Sequence, residues 1–563
     1  MLEIAPPATA RDALIAAWRA HVLALSADLG WPLPALNARA HRTGVTLAMT
    51  APLDQLLTAT EVNEWAVLRA WQQCGLPLAL APAAPGYISY ARRRTATMLR
   101  LLASSAAQPA SQSLAAAAAA RSLPCLIDDE QLTIGAGRGG RSWPIDALPR
   151  PDAVPWDALH DIPTALITGS NGKTTTVRLV AALGAATGVT TGHCCTDGIV
   201  VAGETVDGGD YSGPAGARGV LRDPRVGFAV LETARGGMLR RGLAAPRARV
   251  AALLNVSADH FGEWGIHDLG GIADAKLTVA KAVGPDGMVV LNADDPVVAA
   301  RAQALSVPLG WFALDDGHPR LVAHRSQGGA TCGIDKDGEV VLTTARGERH
   351  RLGPVDEMPL TVSGSARYNC ANIVAAVLIA SGLGVPPDGM AAVLTRFGAA
   401  RTDNPGRLER WTLGGVTVLM DYAHNPDGLE GLLAVAQHDR VERLALALGQ
   451  AGNREDDAIL ALGAVAARAK PELVVLKDPA SFLRGRTPGE VPALLARGLV
   501  AGGVAPERIR TILDETDAVR AAIQWAQPGD VVVLPVHAMA ARRRVAEWLD
   551  ALQARDWRPG DPC

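Results

Sequence analysis

Two hydrophobic rhythms alternate along most of this chain. Short apolar runs without polar interruption recur at Thr164 to Thr168, Phe228 to Leu231, Val250 to Asn255 and Met288 to Leu291, and helix-period stretches such as Thr174 to Leu183 and Gly271 to Ala282 lie between them. Uninterrupted apolar runs are what strands covered on both faces require, so this stretch predicts a parallel α/β sheet. The rhythm resumes beyond Pro405, with strands expected at Val416 to Met420, Leu444 to Leu448, Leu473 to Leu476 and Val531 to Leu534. That is a second α/β unit. The first 155 residues mix short helices and strands. A helix over Ala115 to Ala120 is expected to open at Ser111 or Ser113 and close at Arg121, with turns at Pro82 to Gly86 and Gly135 to Gly140. Pro149, Pro151 and Pro155 read as a linker. The expected organisation is an α+β amino-terminal domain (1–155), a central parallel-sheet domain (156–403) and a carboxyl-terminal Rossmann-like α/β domain (404–563).

Composition narrows the function. The 563 residues carry 54 Lys and Arg against 57 Asp and Glu, a net charge of -3, which leaves no global basic field for a nucleic acid or an acidic membrane. No apolar run reaches the length of a membrane span, and Met1 to Arg11 lacks the features of a secretory signal. The cytoplasm is the expected compartment. Seven scattered cysteines contain no ligand-like pair, so reduced thiols are expected and zinc is not. Cys194 and Cys195, next to His193, read as packing at the end of a strand, with redox or metal chemistry the alternative. Arg92-Arg93-Arg94 reads as a solvated face, with an anion contact the alternative.

The sharpest motif is Gly169-Ser170-Asn171-Gly172-Lys173-Thr174-Thr175-Thr176, set between an expected strand and an expected helix. Glycines let backbone N–H groups close on phosphate oxygens, the helix start adds partial positive charge, Lys173 adds a full one, and the hydroxyl of Thr174 or Thr175 suits Mg²⁺. ATP is the expected ligand; the alternative is a glycine turn that merely starts a helix. Glu232 and His260 each follow an expected strand's carboxyl end, where ligands of parallel sheets collect. Taken alone, each is as readily a local hydrogen-bonding residue as a site residue.

Five runs in order, Thr168 to Thr176, Leu231 to Leu243 (Leu-Glu-Thr-Ala-Arg-Gly-Gly-Met-Leu-Arg-Arg-Gly-Leu), Asn255 to His260, Leu291 to Pro296 and Asp421 to Pro426 (Asp-Tyr-Ala-His-Asn-Pro), resemble the Mur ligase superfamily. Glu232 to Gly237, Gly209 to Pro214 and Arg484-Gly485-Arg486 are similar to the Mur-ligase half of cyanophycin synthetases in particular. The resemblance runs from about Ile162 to Trp548. More weakly, Ala118 to Gly135 is similar to the end of that family's amino-terminal domain. The aspartate-adding ATP-grasp domain that would follow is absent, because only about thirty residues separate Gly135 from the P-loop strand.

The resemblance implies an ATP-dependent amide ligase that activates a carboxylate as an acyl phosphate and joins an amine to it, releasing ADP and phosphate. It assigns Gly169, Asn171, Gly172, Lys173, Thr174 and Thr175 to the phosphates; Thr174, Glu232 and His260 to Mg²⁺; and Lys276 to the place where many Mur ligases carry a carbamylated lysine. An exposed helix lysine is the alternative for Lys276. Asn369 and Asn372, three apart and so on one helix face, resemble adenine contacts, with helix capping the alternative. Arg407 resembles the arginine that reaches the γ-phosphate from the third domain, and Asp421 the acid at the ribose. Lys173, Glu232, His260, Lys276 and Arg407 form the expected catalytic set.

The implied partners are an amino acid or other amine and a carboxylate acceptor, expected to be peptidic, with no nucleic acid and no membrane; a homo-oligomer stays open. Gly449-Gln450-Ala451-Gly452-Asn453 and Lys477 to Leu483 depart from the cyanophycin synthetase pattern, so arginine is only the leading expectation for the amine. A non-catalytic ATP-binding subunit is the competing reading.

Overall fold

A computed structural model describes residues 2–77, 96–243, 245–259, 261–438 and 442–562. Pro82 to Gly86, Arg92 to Arg94 and His260 lie outside the described residues.

The central sheet is built around Thr164–Thr168, every residue of which is buried. In spatial order its parallel strands are Thr191–Cys195, Phe228–Glu232, Thr164–Thr168, Ala248–Leu253, Val283–Asn292, Leu309–Phe312 and Ala330–Ile334. Antiparallel strands extend both edges, Gly198–Val201 and Glu204–Asp207 on one side, Glu339–Thr343 and Arg349–Pro354 on the other. Helices Lys173–Ala185 and Arg367–Leu383 bury Val177, Val180, Val374 and Leu378 against one face. Pro214–Arg222 and the turn after Leu269–Lys276 bury Val220, Leu221 and Val279 against the other. Covering both faces is why these strands lack polar alternation.

The third unit repeats this plan, ordered Glu409–Leu413, Val416–Asp421, Val531–Pro535, Leu444–Leu448, Leu473–Leu476 and Ile509–Thr511. All neighbours are parallel except the first pair. Residues 2–159 hold separate small cores, one around Leu14, Trp18 and Val45 and one around Leu114, Leu132 and Ile134.

Four local expectations change. The strand expected to reach Asn255 ends at Leu253, because the Asn255 side chain turns to accept the Asn171 N–H. The helix expected from Ser111 or Ser113 opens at Pro109, whose fixed φ suits the first helical position; Ser111 instead donates to the Gln108 carbonyl within the first turn. The stretch Pro149 to Pro155, read as a linker, contains Val154, which packs with Leu159 in the second small core. The Gly271 to Ala282 helix tightens to a 3₁₀ helix after Lys276.

Candidate active site

The carboxyl ends of both parallel sheets meet at the phosphate loop. Gly172 caps the helix Lys173–Ala185 with φ 82°, a left-handed backbone that glycine adopts without strain, and a Cβ there would collide with Asn372 Oδ1. The loop is fixed from below: Asn171 N–H donates to Asn255 Oδ1 at 2.8 Å, Asn255 Nδ2 donates back to the Asn171 carbonyl at 3.1 Å, and Ser257 N–H reaches Ser170 Oγ at 3.0 Å. Lys173 folds over the loop and donates to the Ser170 carbonyl at 3.1 Å.

Glu232 ends its strand buried, held by Thr174 Oγ1 at 2.8 Å and Thr196 Oγ1 at 3.0 Å. Lys276 is also buried, and its Nζ donates to the Gly169 carbonyl at 2.7 Å. The exposed-lysine reading is therefore wrong for the side chain's position. Burial drives the Lys276 amine well below its ordinary pKa, with Lys173 adding to the same direction and Asp259 and Glu232 opposing it. Among the described residues no three His, Cys, Asp or Glu side chains converge. The Thr174 hydroxyl beside the Glu232 carboxylate is nevertheless a pair of hard oxygens of the kind Mg²⁺ takes.

A cleft of about 310 Å³ opens over the loop. Asn369 and Asn372 both line it from within the first turns of Arg367–Leu383, whose N-cap is Ala366. They cap nothing. Asn369 Nδ2 donates to the Leu360 carbonyl at 2.8 Å, and Asn372 Nδ2 to Asn369 Oδ1 at 3.0 Å. From the third unit come Asp421, at its strand's end, and Arg407. Asp421 Oδ2 accepts the Leu408 N–H at 2.7 Å, and burial raises its pKa. Arg407 Nη2 donates to Thr174 Oγ1 at 3.2 Å. Thr175 accepts from Asn404 Nδ2 at 3.2 Å, and Asn425 Nδ2 donates to Asn171 Oδ1 at 2.9 Å.

A second cleft of about 450 Å³ adjoins the first. Ser170, Lys173, Thr196 and Glu232 line both. Its far wall comes from the Leu231 to Leu243 run, through Arg235, Arg240 and Arg241, and from the third unit, through Arg454, Phe482, Arg484 and His537. Asp259 bridges the two units, 3.1 Å from Arg454 and 3.5 Å from His424 Nε2. Glu263 does the same between Arg235 at 2.8 Å and Asn453 at 3.3 Å.

Of the expected site residues, Gly169, Asn171, Gly172, Lys173, Thr174, Thr175, Glu232, Lys276, Asn369, Asn372, Arg407 and Asp421 come together at this junction. Sequence reasoning missed Asn255, Thr196, Asp197, Arg178, Asn404, Asn425 and Arg542. Asn255 and Asn425 stood inside quoted motifs; Asp197 had no signal of its own.

The Mur ligase middle domain matches residues 167–380, and the Mur ligase glutamate ligase domain matches residues 406–535. The chain belongs to the Mur ligase family. Within it, the chain is 38% identical over 377 residues to cyanophycin synthetase of Trichormus variabilis, covering 66% of this chain and 41% of that one. It is 29% identical over 391 residues to the UDP-N-acetylmuramoyl-L-alanyl-D-glutamate–2,6-diaminopimelate ligase of Thermosynechococcus vestitus, covering 65% and 70%. The chain spans about two fifths of the length of the cyanophycin synthetases it matches. Among solved structures, folylpolyglutamate synthase of Mycobacterium tuberculosis aligns with a TM-score of 0.49 and 20% identity over 68% of this chain and 91% of its own. The chain has the three-part α/β architecture expected from its sequence, and among the described residues no helix is long and apolar enough to cross a membrane.

Proposed function

We propose that this Mur ligase joins an amino acid or other amine to a carboxylate at the cost of one ATP, forming ADP, phosphate and an amide. The observation that carries the reading is the shared wall: Ser170, Lys173, Thr196 and Glu232 border both the nucleotide-sized cleft and the second cleft. A phosphoryl group held at that wall is within reach of an acceptor in the second cleft. The alternative of a non-catalytic subunit leaves unexplained why Lys173, Glu232, Lys276, Arg407 and Asp421 assemble at one junction.

In the proposed reaction an acceptor carboxylate oxygen attacks the γ-phosphorus, the bond to the β-γ bridging oxygen breaks, and ADP leaves. The amine then adds to the acyl phosphate carbon; phosphate departs with the C–O electron pair, and the nitrogen loses its proton to solvent. Phosphate is a far better leaving group than oxide, which is the chemical reason to spend ATP on an amide. Lys173 and the loop N–H groups hold the phosphates, Arg407 offsets charge that builds on the transferred oxygens, and the third unit excludes water from the acyl phosphate. Thr174 and Glu232, with His260 and a carbamylated Lys276, would hold Mg²⁺, which supplies positive charge to the phosphates. Burial shifts Lys276 toward the neutral amine, the form that takes up CO₂. Asn369 and Asn372 would face the adenine, and Asp421 the ribose.

For the acceptor we propose an acidic peptide bound by residues 1–155 and the second cleft, where Arg240, Arg241 and Arg484 supply cations beside the ion-paired Arg235 and Arg454. We place the domain bounds at 1–155, 156–403 and 404–563, as read from the sequence, and the protein in the cytoplasm. A phosphate-release screen of amino acids against acidic peptides, with product masses recorded, tests the assignment; turnover only with a UDP-linked acceptor overturns it.

A further inference from the structure

One carboxylate outside the assigned site gathers three guanidinium groups. Asp197 sits in the turn between Thr191–Cys195 and Gly198–Val201. Arg178, on the phosphate-loop helix, donates to Asp197 Oδ2 at 2.9 Å. Arg542, on the last helix of the third unit, donates to Oδ1 at 2.7 Å. Arg407 Nη2 lies 3.4 Å from Oδ2. The arginines are 8%, 7% and 12% exposed, and Asp197 14%.

Two consequences follow from charge and placement. First, the two units are pinned through one side chain, because Asp197 and Arg178 belong to the central unit while Arg407 and Arg542 belong to the third. Arg178 adds to the pin by donating to Asn404 Oδ1 at 3.2 Å and to the Pro405 carbonyl at 2.9 Å, just before Arg407. Second, three guanidinium groups converge directly on one carboxylate in a poorly hydrated place, where like charges repel strongly, with Asp421 and Glu232 also attracting Arg407 and Glu409 facing Arg542. Tyr422 relieves part of this: the Arg407 and Arg542 guanidinium groups lie 4.8 and 4.9 Å from its ring centre. Removing the single carboxylate would leave three mutually repelling cations straddling the boundary between the units.

We infer that Asp197 is the positioning residue that seats Arg407 beside Thr174 and holds the third unit closed on the phosphate loop. The inference rests on the ligase reading for its kinetic consequence but not for its structural one. Asp197 approaches the transferring phosphoryl group only through Arg407, so its loss misplaces that arginine and leaves the contacts of the loop, Asn369, Asn372 and Asp421 in place. A misplacement of this kind acts on the rate more than on nucleotide affinity.

The test combines kinetics with solution scattering on Asp197→Asn, Asp197→Glu, Arg542→Gln and the Asp197→Asn/Arg542→Gln double variant. In ATP-dependent phosphate release, Asp197→Asn is expected to lower kcat about tenfold or more, with KM for ATP changed less than about threefold. Asp197→Glu restores the charge and recovers most of the rate. The double variant loses less than the two single losses multiplied, because removing one cation eases the repulsion that the first substitution exposed. In small-angle X-ray scattering with AMP-PNP and Mg²⁺, the wild type stays compact and Asp197→Asn has a larger radius of gyration. If the Asn variant does not fold, Arg542→Gln carries the scattering arm, with an increase in the same direction. A rise in KM for ATP at unchanged kcat, multiplicative losses, or equal radii for folded variants and wild type would overturn the inference. Scattering needs no turnover, so a wild type inactive with every substrate pair would count against the ligase reading alone.

Discussion

Arg407 donates to Thr174 across 233 residues of sequence, at 3.2 Å, and the same threonine hydroxyl donates to Glu232. The arginine of the third unit is thereby seated on the phosphate loop with its fork fixed, between Asp197 and the ring of Tyr422. Lysine keeps the charge but not the planar fork. Arg407→Lys is therefore expected to lower kcat by about ten- to a hundredfold, measured by phosphate release at saturating ATP, with the melting temperature within a few degrees of wild type. Full activity in the lysine variant would show that Arg407 does not face the transferred group.

Lys276 is buried against the Gly169 carbonyl, where a free cation is disfavoured first by burial and then by Lys173. Carbamylation would replace that amine by an anionic oxygen pair. Lys276→Ala should lose most activity, and short carboxylic acids added at millimolar concentration should restore part of it by entering the vacated space. A fully active alanine variant refutes the carbamate role.

Gly172 occupies a left-handed turn with Asn372 where a side chain would go. Gly172→Ala adds backbone strain of about 1 kcal/mol or more together with that collision. The expected result is a folded protein that binds ATP at least about tenfold more weakly, read by calorimetric titration of AMP-PNP. Unchanged affinity would separate Asn372 from the nucleotide cleft.

The carboxyl of Asp197 is pushed up by burial, but Arg407, Arg542 and Arg178 outweigh this and hold its pKa at about 2, against an ordinary 3.8. A carboxylate depressed in the folded state contributes stability that is complete above about pH 5 and disappears as pH falls toward 2. The shift corresponds to about 2 kcal/mol. Stability curves of wild type and Asp197→Asn should lie apart at pH 6 and converge between about pH 4 and pH 2. A constant gap across that range contradicts the ion-pair account.

How much of this was legible in the sequence depended on how local each signal is. The phosphate loop was, because burial on both faces forces Ala165 to Ile167 in the strand before it to be apolar and because the turn needs its glycines. The asparagine pair was legible as a spacing of three on one helix. The end of the Ala248–Leu253 strand was not, since Asn255 looks like its continuation until Asn171 is seen to claim its side chain. Asp197 was illegible in principle: a lone acid in a turn, its partners Arg178 and Arg542 lie 19 and 345 residues away. Only folding two sheets against each other brings them together.

The central claim is that the shared wall of the two clefts transfers the γ-phosphoryl group of ATP to a carboxylate before an amine displaces it. Product analysis after incubation with ATP, Mg²⁺, an acidic peptide and a mixture of amino acids tests it most directly. The account predicts ADP and phosphate in equal amounts, formed with an amide product, and a fall of about a hundredfold or more in Lys173→Ala through lost phosphate stabilisation. AMP and pyrophosphate among the products would contradict it.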